Sequence, residues 1–212
     1  MGTFIHSVAH ERHRMTAKKT KPDKPVSPEG RGEKRIQRSG GRDQIVNLWK
    51  KLSTVTALRF SVQGHSSRAA MDYEGAGSVR ITWLENATME YDEEGSWQHP
   101  SGKMIHFRNI YRWVRDDMAG CLKLYHRRND AVEPVFLCEF VPSGAGQPIP
   151  ATPHVCGRDT YLGELRVTGE TIELRWSING PAKNDLLSVV YHVGTSPETS
   201  PPEPAGVQVN IR

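Results

Sequence analysis

The stretch Ile105-His-Phe-Arg-Asn-Ile-Tyr-Arg-Trp113 sets Ile105, Phe107, Asn109, Tyr111 and Trp113 on one face and His106, Arg108 and Arg112 on the other. Successive side chains of an extended chain point to opposite faces, so this period of 2 predicts a long strand with one apolar, inward face. The more apolar face is expected to be the interior, which favours a solvated Arg108 and leaves Arg112 open.

The same period returns on both sides. Upstream, Leu58, Phe60 and Val62 alternate with Arg59 and Ser61; after a turn read from Gly75-Ala-Gly77, Val79, Ile81 and Trp83 alternate with Arg80 and Thr82. Met89 and Tyr91 begin a further strand, and residues 100–102 make a turn. Downstream of a turn at 116–120 come Leu122 and Leu124, then Phe136, Cys138 and Phe140, then a Pro- and Gly-rich loop over 142–153. Beyond that loop, Tyr161, Leu165 and Val167 lead through a turn at 168–170 into Ile172, Leu174, Trp176 and Ile178, and finally Leu187, Val189 and Tyr191. About nine short strands in sequential hairpins, with no helix between them, predict an all-β fold: a single antiparallel up-and-down barrel.

Residues 44–54 carry Ile45, Val46, Leu48, Trp49 and Leu52 at helical spacing with Asp43 placed to cap them, which predicts a short N-terminal amphipathic helix at a barrel mouth. The 212-residue chain has a net charge of +4, but residues 1–43 alone hold +6 and the remainder −2. Lys18, Lys19, Lys21, Lys24, Arg31, Lys34, Arg35, Arg38 and Arg42 are interspersed with Pro22, Pro25 and Pro28, and no apolar period runs through them. Such a segment buries too little surface to offset its ordering entropy. The expected organisation is a disordered basic arm over 1–43, the barrel over 44–193, and a mostly disordered Pro-rich tail over 194–212, with Val207, Val209 and Ile211 the only candidates for a last edge strand.

Apolar residues make up 36% of the chain and the mean hydropathy is −0.58. No window approaches the roughly 18 apolar residues of a membrane helix, and no signal-length apolar run follows the N-terminal charges. No membrane span and a cytoplasmic location are therefore expected. Cys121, Cys138 and Cys156 form no CxxC pair and are odd in number, which fits reduced thiols better than a disulfide scaffold.

Four segments stand out together: Asn109-Ile-Tyr-Arg-Trp113, Pro134-Val-Phe-Leu-Cys138, Pro153-His-Val-Cys-Gly-Arg-Asp-Thr-Tyr161, and Leu174-Arg-Trp-Ser-Ile-Asn-Gly-Pro-Ala-Lys183 running on to Tyr191. Over residues 45–192 the chain resembles a family of uncharacterised lipocalin-like (calycin-type) bacterial domains. That family is marked by a Tyr-Arg-Trp strand, a His-x-Cys-x-x-Asp-x-Tyr segment and a Trp-x-x-x-Gly-Pro-x-Lys hairpin. The resemblance implies a small closed or nearly closed antiparallel barrel and carries no activity with it. Ala182-Lys183-Asn184-Asp185 departs from the pattern, which more often continues from the basic residue to an aspartate and an aromatic.

The candidate ligand-binding residues are Arg112, His154, Asp159, Tyr161, Trp83, Trp113 and Trp176. A histidine near a carboxylate can be oriented as an acid, base or ligand, and the same His154, Asp159 and Tyr161 can equally satisfy a loop returning across a barrel mouth. His154 and Cys156 share a strand face, but a zinc site needs three or four ligands and no others are apparent, so no metal is assigned. Arg112 is an anion clamp if it points inward and a solvated charge if it points outward. Trp83, Trp113 and Trp176, read as inward, line a pocket or fill the barrel. The expected function is binding of a small hydrophobic or amphipathic molecule, with the cofactor unknown. Two alternatives stand beside it: a small-barrel enzyme using His154, Asp159 and Tyr161 for acid/base chemistry, and an interaction protein that holds a polyanion weakly through residues 1–43.

Overall fold

A computed structural model describes residues 34–64, 72–85, 87–127, 133–142, 147–181 and 183–194, with side chains from residue 41 onward. The expectations for residues 1–33 and for the C-terminal tail from residue 195 lie outside the described residues. Among the described residues, one helix, α1 (Lys34–Leu52), precedes eleven strands: β1 (Val55–Gly64), β2 (Tyr73–Glu85), β3 (Thr88–Gln98), β4 (Met104–Asp116), β5 (Cys121–Arg127), β6 (Val135–Phe140), β7 (Ile149–Pro150), β8 (His154–Cys156), β9 (Asp159–Thr168), β10 (Thr171–Gly180) and β11 (Lys183–Val193).

The strands form one antiparallel sheet in the order β6-β5-β4-β3-β2-β1-β11-β10-β9-β7, with β8 paired to β9. First and last long strands meet, β1 lying against β11 from Val55 to Gly64. The nine long strands alone cannot close an antiparallel barrel, because alternation leaves β6 and β9 pointing the same way. The two residues of β7, in the predicted 142–153 loop, resolve this: they pair with β9, and Ala151 bridges back to Phe140. Val141 N–H to Pro150 C=O (3.2 Å), Thr152 N–H to Glu139 C=O (2.8 Å) and Ala151 N–H to Gly163 C=O (2.7 Å) complete a nearly closed up-and-down barrel. Closure covers the backbone groups that an edge strand leaves open.

Three inward glycines of the wall face an aromatic ring in the cross-strand register: Gly75 opposite Phe60, Gly95 opposite Phe107, and Gly163 opposite Trp176. A Cβ on these glycines would stand 2.3 Å from Phe60, 2.6 Å from Phe107 and 2.7 Å from Trp176. Gly75 and Gly77 are therefore strand residues of β2 and not the turn expected of them. Gly75 makes room for the Phe60 ring, and Gly77 for the backbone of Glu94 and Gly95 on the neighbouring strand.

α1 begins at Lys34, ten residues before the predicted start, so Asp43 lies inside the helix and does not cap it. Apolar periodicity is absent from its first turns, which is why they were unreadable. Gly41 instead allows the helix against the Pro142 ring, where a Cβ would sit 3.3 Å away. Ile45, Leu48, Trp49 and Leu52 are buried as expected; removing each Ile or Leu from water is worth roughly 1.5–3 kcal/mol. The helix closes one end of the barrel. Trp49 meets Trp83 edge-on at 5.8 Å, Lys51 Nζ donates to the Gly169 carbonyl at 2.9 Å, and the Tyr91 hydroxyl donates to the Leu52 carbonyl, one of the acceptors that a helix C-terminus leaves without an internal partner.

Candidate functional site

Inside the barrel, Met89, Tyr91 and Glu93 continue one face of β3, and Phe107, Asn109, Tyr111 and Trp113 one face of β4, with Glu93 directly opposite Asn109. Glu93 is 3% exposed. Its Oε1 accepts from the Tyr191 hydroxyl at 2.7 Å, and its Oε2 lies 3.4 Å from the Asn109 Nδ2 donor. Burial pushes its carboxyl from 4.5 up to about 7, against the lowering effect of those two hydrogen bonds. Among the described residues no ion pair reaches it. Burial likewise holds the hydroxyls of Tyr91, Tyr111 and Tyr191 well above the usual tyrosine range, so they stay protonated donors.

This carboxyl faces a cavity lined by Phe60, Phe107, Tyr111, Trp113, Trp176 and Tyr191, with Leu58, Leu124, Leu174, Leu187 and Val189 filling the spaces between. The volume open to the centre of a water molecule is about 20 Å³, enough for a water and not for a larger ligand unless side chains move. Two of the lining residues keep unused donors: the indole nitrogens of Trp113 and Trp176 are buried without a hydrogen-bond partner.

Towards the end opposite α1, a second polar group projects inward. Asp159 Oδ2 lies 2.8 Å from Lys183 Nζ, with only 17% and 15% of the two side chains exposed. Gly180, paired with Lys183, makes the contact possible, since a Cβ there would meet Asp159 Oδ1 at 2.0 Å. His154 pairs across to Tyr161, with ring centroids 5.8 Å apart. The Tyr161 hydroxyl is buried without a hydrogen-bond partner. Burial, then Asp159, raises it to about 12.

A family model matches residues 54–193, described as a family of unknown function, DUF6314. The chain belongs to the DUF6314 family. The matched span starts just after α1 and stops at the last residue of β11, so the DUF6314 unit is the barrel itself and contains every residue of the interior site. It covers nearly the same residues as the lipocalin-like resemblance read from the motifs, but it is DUF6314 that the match names. No curated protein matches the sequence. Among solved structures, the DUF6314 chain is similar to a de novo designed fluorescence-activating β-barrel, with 14% identity, a TM-score of 0.27, and coverage of 66% of this chain and 93% of that one.

The placement of the predicted residues in the DUF6314 barrel is uneven. Trp113 and Trp176 are in the interior as expected. Trp83 is not: it is 50% exposed at the end of β2, beside the helix. Arg112 points outward, 2.9 Å from Glu90, so the inward anion clamp is not formed. It belongs to an outer charge ladder in which Glu90 also meets Arg127 and Asp92 meets Arg80 and Arg108. His154, Asp159 and Tyr161 do gather, but Asp159 is taken by Lys183 and does not orient the imidazole. His154 and Cys156 share a face, yet among the described residues no group of three or more His, Cys, Asp or Glu side chains is placed to hold a metal ion. Sequence reading missed Glu93, Asn109 as a polar anchor, and the partnership with Tyr191. The period starting at Met89 and Tyr91 carries Glu93 inward, and was the available signal.

Proposed function

We propose that this barrel binds a small molecule in its interior, with Glu93, Asn109 and Tyr191 as polar anchors and the rings of Phe60, Phe107, Trp113 and Trp176 as walls. The observation that carries this reading is the buried Glu93 carboxyl facing an aromatic cavity. A barrel that served only as scaffold gains nothing from it: burying an ionised carboxylate costs several kcal/mol even after relaxation, and apolar filling would serve better. The unused indole donors of Trp113 and Trp176 support the same reading, because an occupant with an acceptor atom relieves the cost of leaving them unpaired. Phe60 and Phe107 pack on glycines, and turning these rings enlarges the space. Function of this kind lives in the site and not in the fold, so it needs its own test.

The test is native mass spectrometry of protein purified from its own source, under gentle and denaturing conditions. A reproducible adduct lost on denaturation, and lost in Glu93→Gln, is expected. A clean mass, together with tryptophan emission that no member of a small-molecule library shifts, rules the reading out.

A further inference from the structure

We infer that the occupant of the interior carries a positive charge: the barrel takes a small ammonium compound, with its charged nitrogen on Glu93 and the rest of it, apolar but for an acceptor towards the Trp113 and Trp176 indoles, among the rings. This rests on the reading of the barrel as a binding protein and names the chemical class of what it binds. Glu93 is the acidic group of the cavity lining, and its hydrogen-bonding partners, Tyr191 and Asn109, are neutral. Among the described residues, no lysine, arginine or histidine lines that cavity.

A lone carboxylate in such surroundings repels an anion and rewards a cation, because opposite charges interact far more strongly where water is excluded. The walls act in the same sense. Phe60, Phe107, Tyr111, Trp113 and Trp176 present π-systems whose negative faces attract a cation. A primary ammonium adds three donors, which suit a carboxylate that accepts one short hydrogen bond and one long one. Fatty acids and other anionic amphiphiles are excluded by the same charge.

The experiment uses three probes of one size, n-butylammonium, 1-butanol and butyrate, added to the full chain while the indole N–H signals of the tryptophans are followed by NMR. The expected result is an n-butylammonium affinity at least tenfold tighter than that of 1-butanol, with butyrate weakest. In Glu93→Gln the ammonium preference disappears while 1-butanol still shifts the signals. Should that variant not fold, the wild-type protein gives a second measurement. Between pH 8 and pH 5 the ammonium affinity falls at least tenfold as Glu93 takes up a proton, and that of 1-butanol does not. The groups around Glu93 frame this assignment: the hydroxyls of Tyr91, Tyr111 and Tyr191 stay protonated over that range, Val79 and Asn109 opposite it carry no charge, and the adjacent Asp92 is held ionised by Arg108 and Arg80. The buried His126 packs on Tyr111 with ring centroids 5.2 Å apart, and a histidine ordinarily charges in this range, so the fall must persist in His126→Gln; its loss there overturns the assignment to Glu93. Equal binding of all three probes, or preference for butyrate, overturns the inference and leaves the binding reading standing. Silence from every probe overturns the inference, and joined to a clean native mass and an unresponsive library it overturns the binding reading as well.

Discussion

Asp159 and Lys183 meet at 2.8 Å over the bare backbone of Gly180, joining the first residue of β9 to the first residue of β11 across the end of β10. Two sequence segments that looked like separate motifs, one carrying His154, Cys156, Asp159 and Tyr161 and the other Trp176, Gly180 and Lys183, are thus the two halves of one contact. Losing one partner leaves the other largely buried and unpaired. Lys183→Met and Asp159→Asn are each expected to cost about 1–3 kcal/mol in urea unfolding, and the double variant less than their sum. Strictly additive losses would mean that the pair is not coupled. Gly180→Ala is expected to destabilise as well, by driving the carboxylate off its partner.

The raised carboxyl of Glu93 makes stability depend on pH in a definite direction. The folded protein holds the Glu93 proton more tightly than the unfolded chain does, from 4.5 up to about 7. Its contribution is therefore fully present below about pH 4.5 and lost as pH rises through about 7, a change of about 3 kcal/mol at most. Glu93→Gln, which cannot ionise and still accepts from Tyr191, should raise the melting temperature at pH 8 and change it little at pH 5. A stabilisation that is the same at both values would show that the carboxyl titrates normally.

Gly163 is held open for Trp176. A Cβ there would lie 2.7 Å from the indole and 3.1 Å from the Ala151 side chain, in the strap that closes the barrel. Gly163→Ala is expected to cost about 1–3 kcal/mol in denaturant unfolding, the usual range for overpacking. Adding Trp176→Leu should recover part of that loss. If it recovers none, the strain lies in the strap.

Among the three cysteines, Cys121 and Cys138 are buried and Cys156 is partly exposed. Burial raises Cys138 to about 12, so almost none of it is thiolate at neutral pH. Iodoacetamide on the native protein, read by peptide mass spectrometry, should modify Cys156 first and Cys138 only after unfolding. Early modification of Cys138 would show that the β5–β6 side of the barrel opens.

Most of the strands, and the faces they bury, could be read from the chain, because alternation is imposed by the backbone and concerns neighbours only. Ile105 to Trp113 shows this plainly: of the residues predicted inward, Phe107, Asn109, Tyr111 and Trp113 are buried and Ile105, near the strand's start, is half-buried. Trp83 fails for a physical reason. It obeys the period, but β2 overruns the barrel at its end, so an in-phase side chain meets the helix and solvent there. The helix start failed because residues 34–41 carry no apolar period and include Ser39-Gly40-Gly41, which propensity reads as a break; the contact of Gly41 with Pro142 is visible only in the folded chain.

By itself, the sequence determined that the protein is built of antiparallel hairpins and most of the apolar residues that line their inner faces, since both follow from local pleat and turn chemistry. Only the tertiary structure decided which inward residues meet. Glu93 reaches Tyr191 from β3 to β11, and Asp159 reaches Lys183 over a glycine, because register, tilt and closure are set by all the strands together. The two residues of β7 that complete the ring draw their meaning wholly from β6 and β9, and no local pattern announces them.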